Sequence, residues 1–127
     1  QGGTFEGLRR NAEGQTVALI RADAVPAGPL TWQAAIDWAK TVQAEGHADF
    51  TLPDREDGRL LWANSREAFE PTWYWLGVEY SSSGAWYQYF DYGNQNTSRK
   101  GNELRARAVR RLILQSFDPS SAAGAPQ

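Results

Sequence analysis

The sequence predicts an α+β fold built on an antiparallel sheet, and three observations carry that prediction. A short apolar run rich in β-branched residues comes first, at 16–20. Two stretches with apolar residues at helical spacing follow it, and from Pro71 onward the period changes to two. Helices and strands segregated along a chain favour antiparallel pairing over βαβ units. At 127 residues the chain fits one domain, and its 41% hydrophobic and 22% charged content is that of a globular protein.

Residues 1–14 are Gly-rich and polar, with Phe5 and Leu8 as the apolar anchors, and read as a leader or linker. The domain is expected at 15–118. Thr16-Val17-Ala18-Leu19-Ile20 is the first predicted strand, ended by Pro26-Ala27-Gly28-Pro29. Thr31 is placed to cap a helix whose face is Trp32, Ala35, Ile36, Ala39 and Val42, with Gly46 as its stop. Asp54 is placed to cap a second helix running to about Asn64, with Leu60, Leu61 and Trp62 facing inward, although Gly58 in its middle opposes helix formation. Three strands are predicted at 73–78, 85–92 and 104–114, and the stretch 93–102 is too long to be a hairpin turn alone. The low-complexity residues 119–127 read as a mobile tail.

Several function classes are excluded or disfavoured. Zero cysteines exclude a disulfide framework, a thiolate metal site and a cysteine nucleophile. A net charge of −2 gives no global pull toward nucleic acid or a membrane surface, and no apolar run of about 18 residues is long enough to insert into a bilayer. Without an initiator Met the chain reads as processed or cut from something larger. No phosphate-binding Gly-rich loop and no nucleophile elbow occurs. His47, the single histidine, follows Gly46 and reads as an exposed helix end rather than a catalytic base. The acids Asp54, Glu56 and Asp57 are of the type that holds Ca²⁺, but a helix cap with first-turn acids explains them more simply, so no metal and no cofactor is expected. The expectation is a protein that is not an enzyme.

The aromatic residues are unevenly placed. All five tyrosines and three of the six tryptophans, Trp73, Trp75 and Trp86, lie between positions 73 and 96, among Ser81-Ser82-Ser83-Gly84 and Gly93-Asn94-Gln95-Asn96. Tyr and Trp with Ser, Gly and Asn is the composition of a binding surface, joining large rigid contact area to adaptable polar groups. On a strand at 85–92, Trp86, Gln88 and Phe90 share one face and Tyr87, Tyr89 and Asp91 the other. Trp86 and Phe90 are therefore expected in the core, with Trp32, Trp38, Trp62 and Phe50, and Tyr87 and Tyr89 are expected outside. The candidate ligand contacts are Tyr80, Ser82, Tyr87, Tyr89, Asp91, Tyr92, Asn94 and Asn96. A second cluster is basic: Arg99, Lys100, Arg105, Arg107, Arg110 and Arg111 stand against the single acid Glu103. Alternation turns Leu104, Ala106 and Ala108 inward and Arg105 and Arg107 outward, which reads first as a charged edge that resists aggregation. Arg99, Lys100 and Arg105 are the possible anion contacts, since guanidinium forks pair with sulfate and phosphate.

Five pieces taken together resemble a known family: Thr31-Trp32-Gln33-Ala34-Ala35, Phe50-Thr51-Leu52-Pro53-Asp54-Arg55-Glu56, Trp73-Tyr74-Trp75, Ala85-Trp86-Tyr87-Gln88-Tyr89-Phe90 and Arg107-Ala108-Val109-Arg110-Arg111. They look like the Lcl C-terminal domain family, which ends a bacterial collagen-like adhesin and recurs in phage tail proteins. The resemblance departs where the usual Trp-Arg-Leu-Pro becomes Phe50-Thr51-Leu52-Pro53, at Gly58, and in a last strand without cysteine. It implies a C-type-lectin-like fold, with two helices packed on a small antiparallel sheet and long ligand-binding loops. It also implies ligand display: related domains are the variable receptor-binding proteins of diversity-generating retroelements, whose aromatic, Ser- and Asn-rich C-terminal stretch is diversified. The lectin-like formylglycine-generating enzymes work through cysteines, which this chain lacks.

The expected function is a receptor-binding or adhesion domain at a phage tail or bacterial surface, with a cell-surface glycan or protein as partner. By analogy with tail proteins it is expected to form a homo-oligomer, a trimer. The alternatives are a structural virion or surface-assembly subunit that packs the same aromatic surface permanently against a partner, and a polyanion binder using Arg99, Lys100, Arg105 and Arg107.

Overall fold

Six strands, two helices and one 3-10 turn form the described part of the chain, residues 2–114 of the computed structural model. They are β1 (Gly3–Arg10), β2 (Thr16–Ala22), α1 (Trp32–Thr41), α2 (Arg55–Ser65), the turn Arg66–Ala68, β3 (Trp73–Glu79), β4 (Gly84–Tyr89), β5 (Gln95–Arg99) and β6 (Val109–Ile113). The strands make two three-stranded antiparallel sheets, ordered β1-β2-β6 and β3-β4-β5. The fold is therefore α+β, with two sheets where the sequence predicted one. No helix among the described residues is long and apolar enough to cross a membrane. The expected tail at 119–127 lies outside the described residues.

Both helix starts follow from their caps. The Thr31 side chain accepts the Ala34 amide, and α1 buries Ala35 and Ala39. Asp54 and Asp57 form a capping box, each side chain accepting the other's backbone N–H, at 2.7 and 3.0 Å. Gly58 follows from packing. The Gln88 amide donates to the Gly58 carbonyl at 2.6 Å, and a Cβ at Gly58 would stand 2.7 Å from the other end of that amide. α1 ends at Thr41, before Gly46. Gly46 instead serves a tight turn in which Ala44 and His47 exchange backbone hydrogen bonds, and His47 is exposed there.

The core lies on both faces of β3-β4-β5. Trp75, Ala85 and Tyr87 pack with Ala35 and Ala39 of α1, Phe50, Leu52, Leu104 and Ala106. Tyr74 and Phe90 pack the opposite way, with Leu61 of α2, Leu19, Phe69 and Val109. Trp75 is fully buried and its indole N–H donates to the Leu30 carbonyl at 2.8 Å, so replacing it with alanine would cost about 3–5 kcal/mol.

Four expectations are corrected. The presumed leader or linker holds β1, an edge strand paired with β2 from Gly3↔Ala22 to Arg10↔Thr16. Its pattern misleads because Phe5 and Leu8 face out, while the residue it buries is Glu6, ion-paired to Arg21 and hydrogen-bonded by Ser65. The polar stretch after Gly93 contains a strand, β5. The strand expected at 104–114 is shorter: Leu104 and Arg105 make isolated bridges, and β6 begins at Val109. Finally, Arg107 is buried rather than turned out. Trp32, Trp38 and Trp62 are half-buried against the core, and Phe50 is inside it.

Candidate ligand-binding surface

Residues directly opposite across a strand pair project to the same face. Trp73 faces Tyr89, Trp75 faces Tyr87, and Tyr87 in turn faces Asn96, so these side chains share one face of β3-β4-β5. The face is buried at its Trp75 end and emerges at its Trp73 end. The ring of Trp73 stacks on Tyr87 at 4.8 Å and meets Tyr89 edge-on at 6.3 Å, and Tyr89 meets Tyr92 edge-on at 5.5 Å. Trp73 is 41% exposed and Tyr92 72% exposed, whereas Tyr87 is only 9% exposed. The result is a run of four rings from the core to solvent.

This arrangement corrects the expectation for Tyr87. Alternation with Trp86 and Phe90 predicts an outward-facing side chain, but the sheet is covered on both sides and alternation no longer sorts inside from outside. Phe90 is in the core as expected. Trp86 is half-buried, with the Arg55 guanidinium 3.7 Å over its ring, and Gln88 is fully buried. Tyr89 is half-buried. Partial burial and then the charge of Asp91, 3.5 Å from its hydroxyl, raise its phenol pKa above the ordinary value.

Beside the exposed Trp73 lies an open groove of about 610 Å³, bordered by Pro29, Trp73, Asn102, Glu103 and Arg105. A second, shallower groove of about 430 Å³ runs past Tyr80, Ser81, Ser83, Arg99 and Asn102. Asn102 borders both, and its side chain donates to the Ser98 hydroxyl at 2.8 Å. Tyr80 is 64% exposed at the tip of the β3–β4 hairpin, edge-on to Trp86. The hairpin is pinned by Ser81, whose hydroxyl accepts the Ser83 and Gly84 amides.

The structure thus brings Tyr87, Tyr89, Tyr92 and Asn96 together with Trp73, and sets Tyr80 and Ser82 at the hairpin tip. Asp91 and Asn94 are exposed in the turn after β4. Gly93 lies in that turn at φ 85°, where a Cβ would stand 2.6 Å from the Trp62 ring. Sequence reasoning passed over Trp73 and Asn102. Trp73-Tyr74-Trp75 offers no polar contrast from which a face could be read, and Asn102 stands in a stretch that gave no strand signal.

The basic cluster is dispersed. Lys100 pairs with Glu79, Arg110 with Asp49 and Arg111 with Asp57. Arg99 and Arg105 remain exposed without a carboxylate partner among the described residues. The acids Asp54 and Asp57 are likewise occupied. Arg9 reaches both, at 2.8 and 2.9 Å, and the Arg111 Nε donates to Asp57 at 2.8 Å. Burial alone would raise the Asp57 pKa, but Arg111, the Asp54 amide and Arg9 together hold it below the usual carboxylate range.

A scan against models of known protein families and a search of characterised proteins both return no match.

Proposed function

We propose that this chain is a ligand-binding domain of C-type-lectin-like fold, which presents an aromatic and polar surface to a cell-surface glycan or protein. The observation that carries the reading is the run of rings Tyr87, Trp73, Tyr89 and Tyr92, with its outer members exposed beside a groove edged by Asn102, Glu103 and Arg105. Exposed aromatic faces stack on sugar rings or apolar side chains, and a buried neighbour holds them rigid, which lowers the entropy lost on binding. The polar grooves supply the directional contacts. The resemblance to the Lcl C-terminal domain supports the same reading and points to a phage tail or bacterial surface protein, of the kind diversified by retroelements. Among the described residues of this surface no group is arranged as a nucleophile with a base, which favours display over catalysis.

The test is binding of the folded chain to a panel of bacterial surfaces and to a glycan array, compared with Trp73→Ala and Tyr92→Ala. Loss of binding by variants that stay folded, with a midpoint lowered by no more than about 5 °C, is expected; a folded double variant that binds like the wild type would place the site elsewhere.

A second reading, a subunit of a permanent assembly, is favoured by a different surface. The outer face of β1-β2-β6 exposes Phe5, Leu8, Leu112 and Leu114, with Leu8 and Leu112 flanking the buried Ala18 in one cross-strand row. Contiguous exposed apolar residues on a sheet mark an interaction surface.

A further inference from the structure

Between the loop at 25–28 and the segment 105–107 the structure forms a half-open pocket of about 190 Å³. Val25, Pro26 and Ala106 give it an apolar wall, and Arg105, Arg107, Tyr74 and Glu70 are its polar groups. Arg107 is only 6% exposed, and no carboxylate pairs with it among the described residues. Its Nη1 donates to the Ala68 carbonyl at 3.0 Å and its Nη2 to the Ala22 carbonyl at 3.1 Å, while its Nε–H has no acceptor. A guanidinium carries five N–H donors, so this buried cation leaves most of its donors unspent. Burial, and then the like charge of Arg21, press its pKa below the ordinary value, outweighing the opposing pull of Tyr74, Asp23 and Glu6. Tyr74 adds a further donor: its hydroxyl oxygen accepts the Glu70 amide at 2.9 Å, and its own proton has no acceptor among the described residues.

We propose that this pocket binds a small carboxylate with a short aliphatic body. Among the groups that line the pocket itself, two guanidinium groups against the single Glu70 leave one net positive charge. A monoanion neutralises it, whereas a dianion such as phosphate would leave excess negative charge facing Glu70. A planar carboxylate matches the guanidinium fork and accepts from the phenol as well. The volume is below that of drug-sized sites and suits a ligand of a few heavy atoms, whose carbons lie on Val25, Pro26 and Ala106. Such a carboxylate comes either as a free acid or as the C-terminus of a peptide. The inference does not depend on the aromatic surface being a receptor site.

The experiment is an NMR titration of the ¹⁵N-labelled full chain with propionate, propionamide, inorganic phosphate, and acetyl-trialanine with a free or amidated C-terminus. Saturable shifts at the Glu70, Arg105 and Arg107 amides are expected with propionate and not with propionamide. Tyr74→Phe and Arg105→Gln, which keep the buried Arg107 in place, are each expected to weaken binding about tenfold or more. Equal binding of the free-carboxylate peptide assigns the source to a chain terminus, and binding of propionate alone assigns it to a free acid. Absence of saturation, equal shifts with propionamide, phosphate binding as tight as propionate, or variants that bind like wild type would each overturn the proposal. Trp73→Ala should leave this titration unchanged, which separates it from the fate of the receptor-binding reading.

Discussion

The indole of Trp73 lies on the phenol of Tyr87 with 21° between their planes, so an exposed ring is seated on a buried one. The two residues therefore separate function from stability. Trp73→Ala removes the outer ring and about 1 kcal/mol of stacking, leaving the fold intact while ligand binding is lost. Tyr87→Ala opens the core beside Trp75 and should cost about 3–5 kcal/mol. Urea midpoints together with cell-surface binding check both outcomes.

Acid should loosen the molecule through Asp57. Its folded-state pKa is depressed by Arg111, the Asp54 amide and Arg9 against the opposing effect of burial. The stability it contributes is thus fully present above the unfolded value of about 3.9 and is lost as pH falls through the folded value. Asp54 works in the opposite sense, because burial raises its pKa despite the Asp57 amide it accepts. Asp57→Asn should cost about 3 kcal/mol at neutral pH and flatten the fall of stability in acid, measured by urea unfolding between pH 2 and 7.

Gly58→Ala should destabilise, against the usual helical preference. Alanine in a helix interior gains about 1 kcal/mol over glycine, but here its Cβ would stand 2.7 Å from the Gln88 side chain and 3.2 Å from both Gln95 and Leu76. Gln88 is fully buried and bound to the Gly58 carbonyl and to Gln95, so it has little room to move. A net loss of about 1–3 kcal/mol is expected, read from the thermal midpoint. A rise in the midpoint would contradict this packing.

Leu8→Glu with Leu112→Glu tests the outer face of β1-β2-β6. If that face packs against other subunits, the wild type will show concentration-dependent association by sedimentation and the double variant will not. A wild type that sediments as a monomer throughout would remove the support for the assembly reading.

Features set by neighbouring residues were legible in the sequence. Thr31 and Asp54 were found as caps because a cap and its helix adjoin in sequence. β2 and β3 were found because their apolar or aromatic runs are short and bounded by turn residues. Features set by distant partners were not. Asp57 looked like any first-turn acid until the fold brought Arg9 and Arg111 to it from 48 and 54 residues away. β1 was invisible because its buried side chain is a glutamate whose partners are Arg21 and Ser65. Arg107 looked like an outward charge because alternation predicts a side and says nothing of what covers that side. The same limit misplaced Tyr87, while Tyr80 and Tyr92 are exposed as expected.

The pairing of β1 and β6 on either side of β2 has a mechanical consequence. Both run antiparallel to β2, so they are parallel to each other. Gly3 opens β1 opposite Ala22, and Ile113 closes β6 opposite Val17, at opposite ends of the shared strand. Tension applied through those two ends pulls β1 and β6 in opposite directions along β2, so the bonds of each ladder share the load instead of parting one at a time. A domain held between an anchor and a load would resist extension in this geometry, while the β3-β4-β5 face lies outside the line of force.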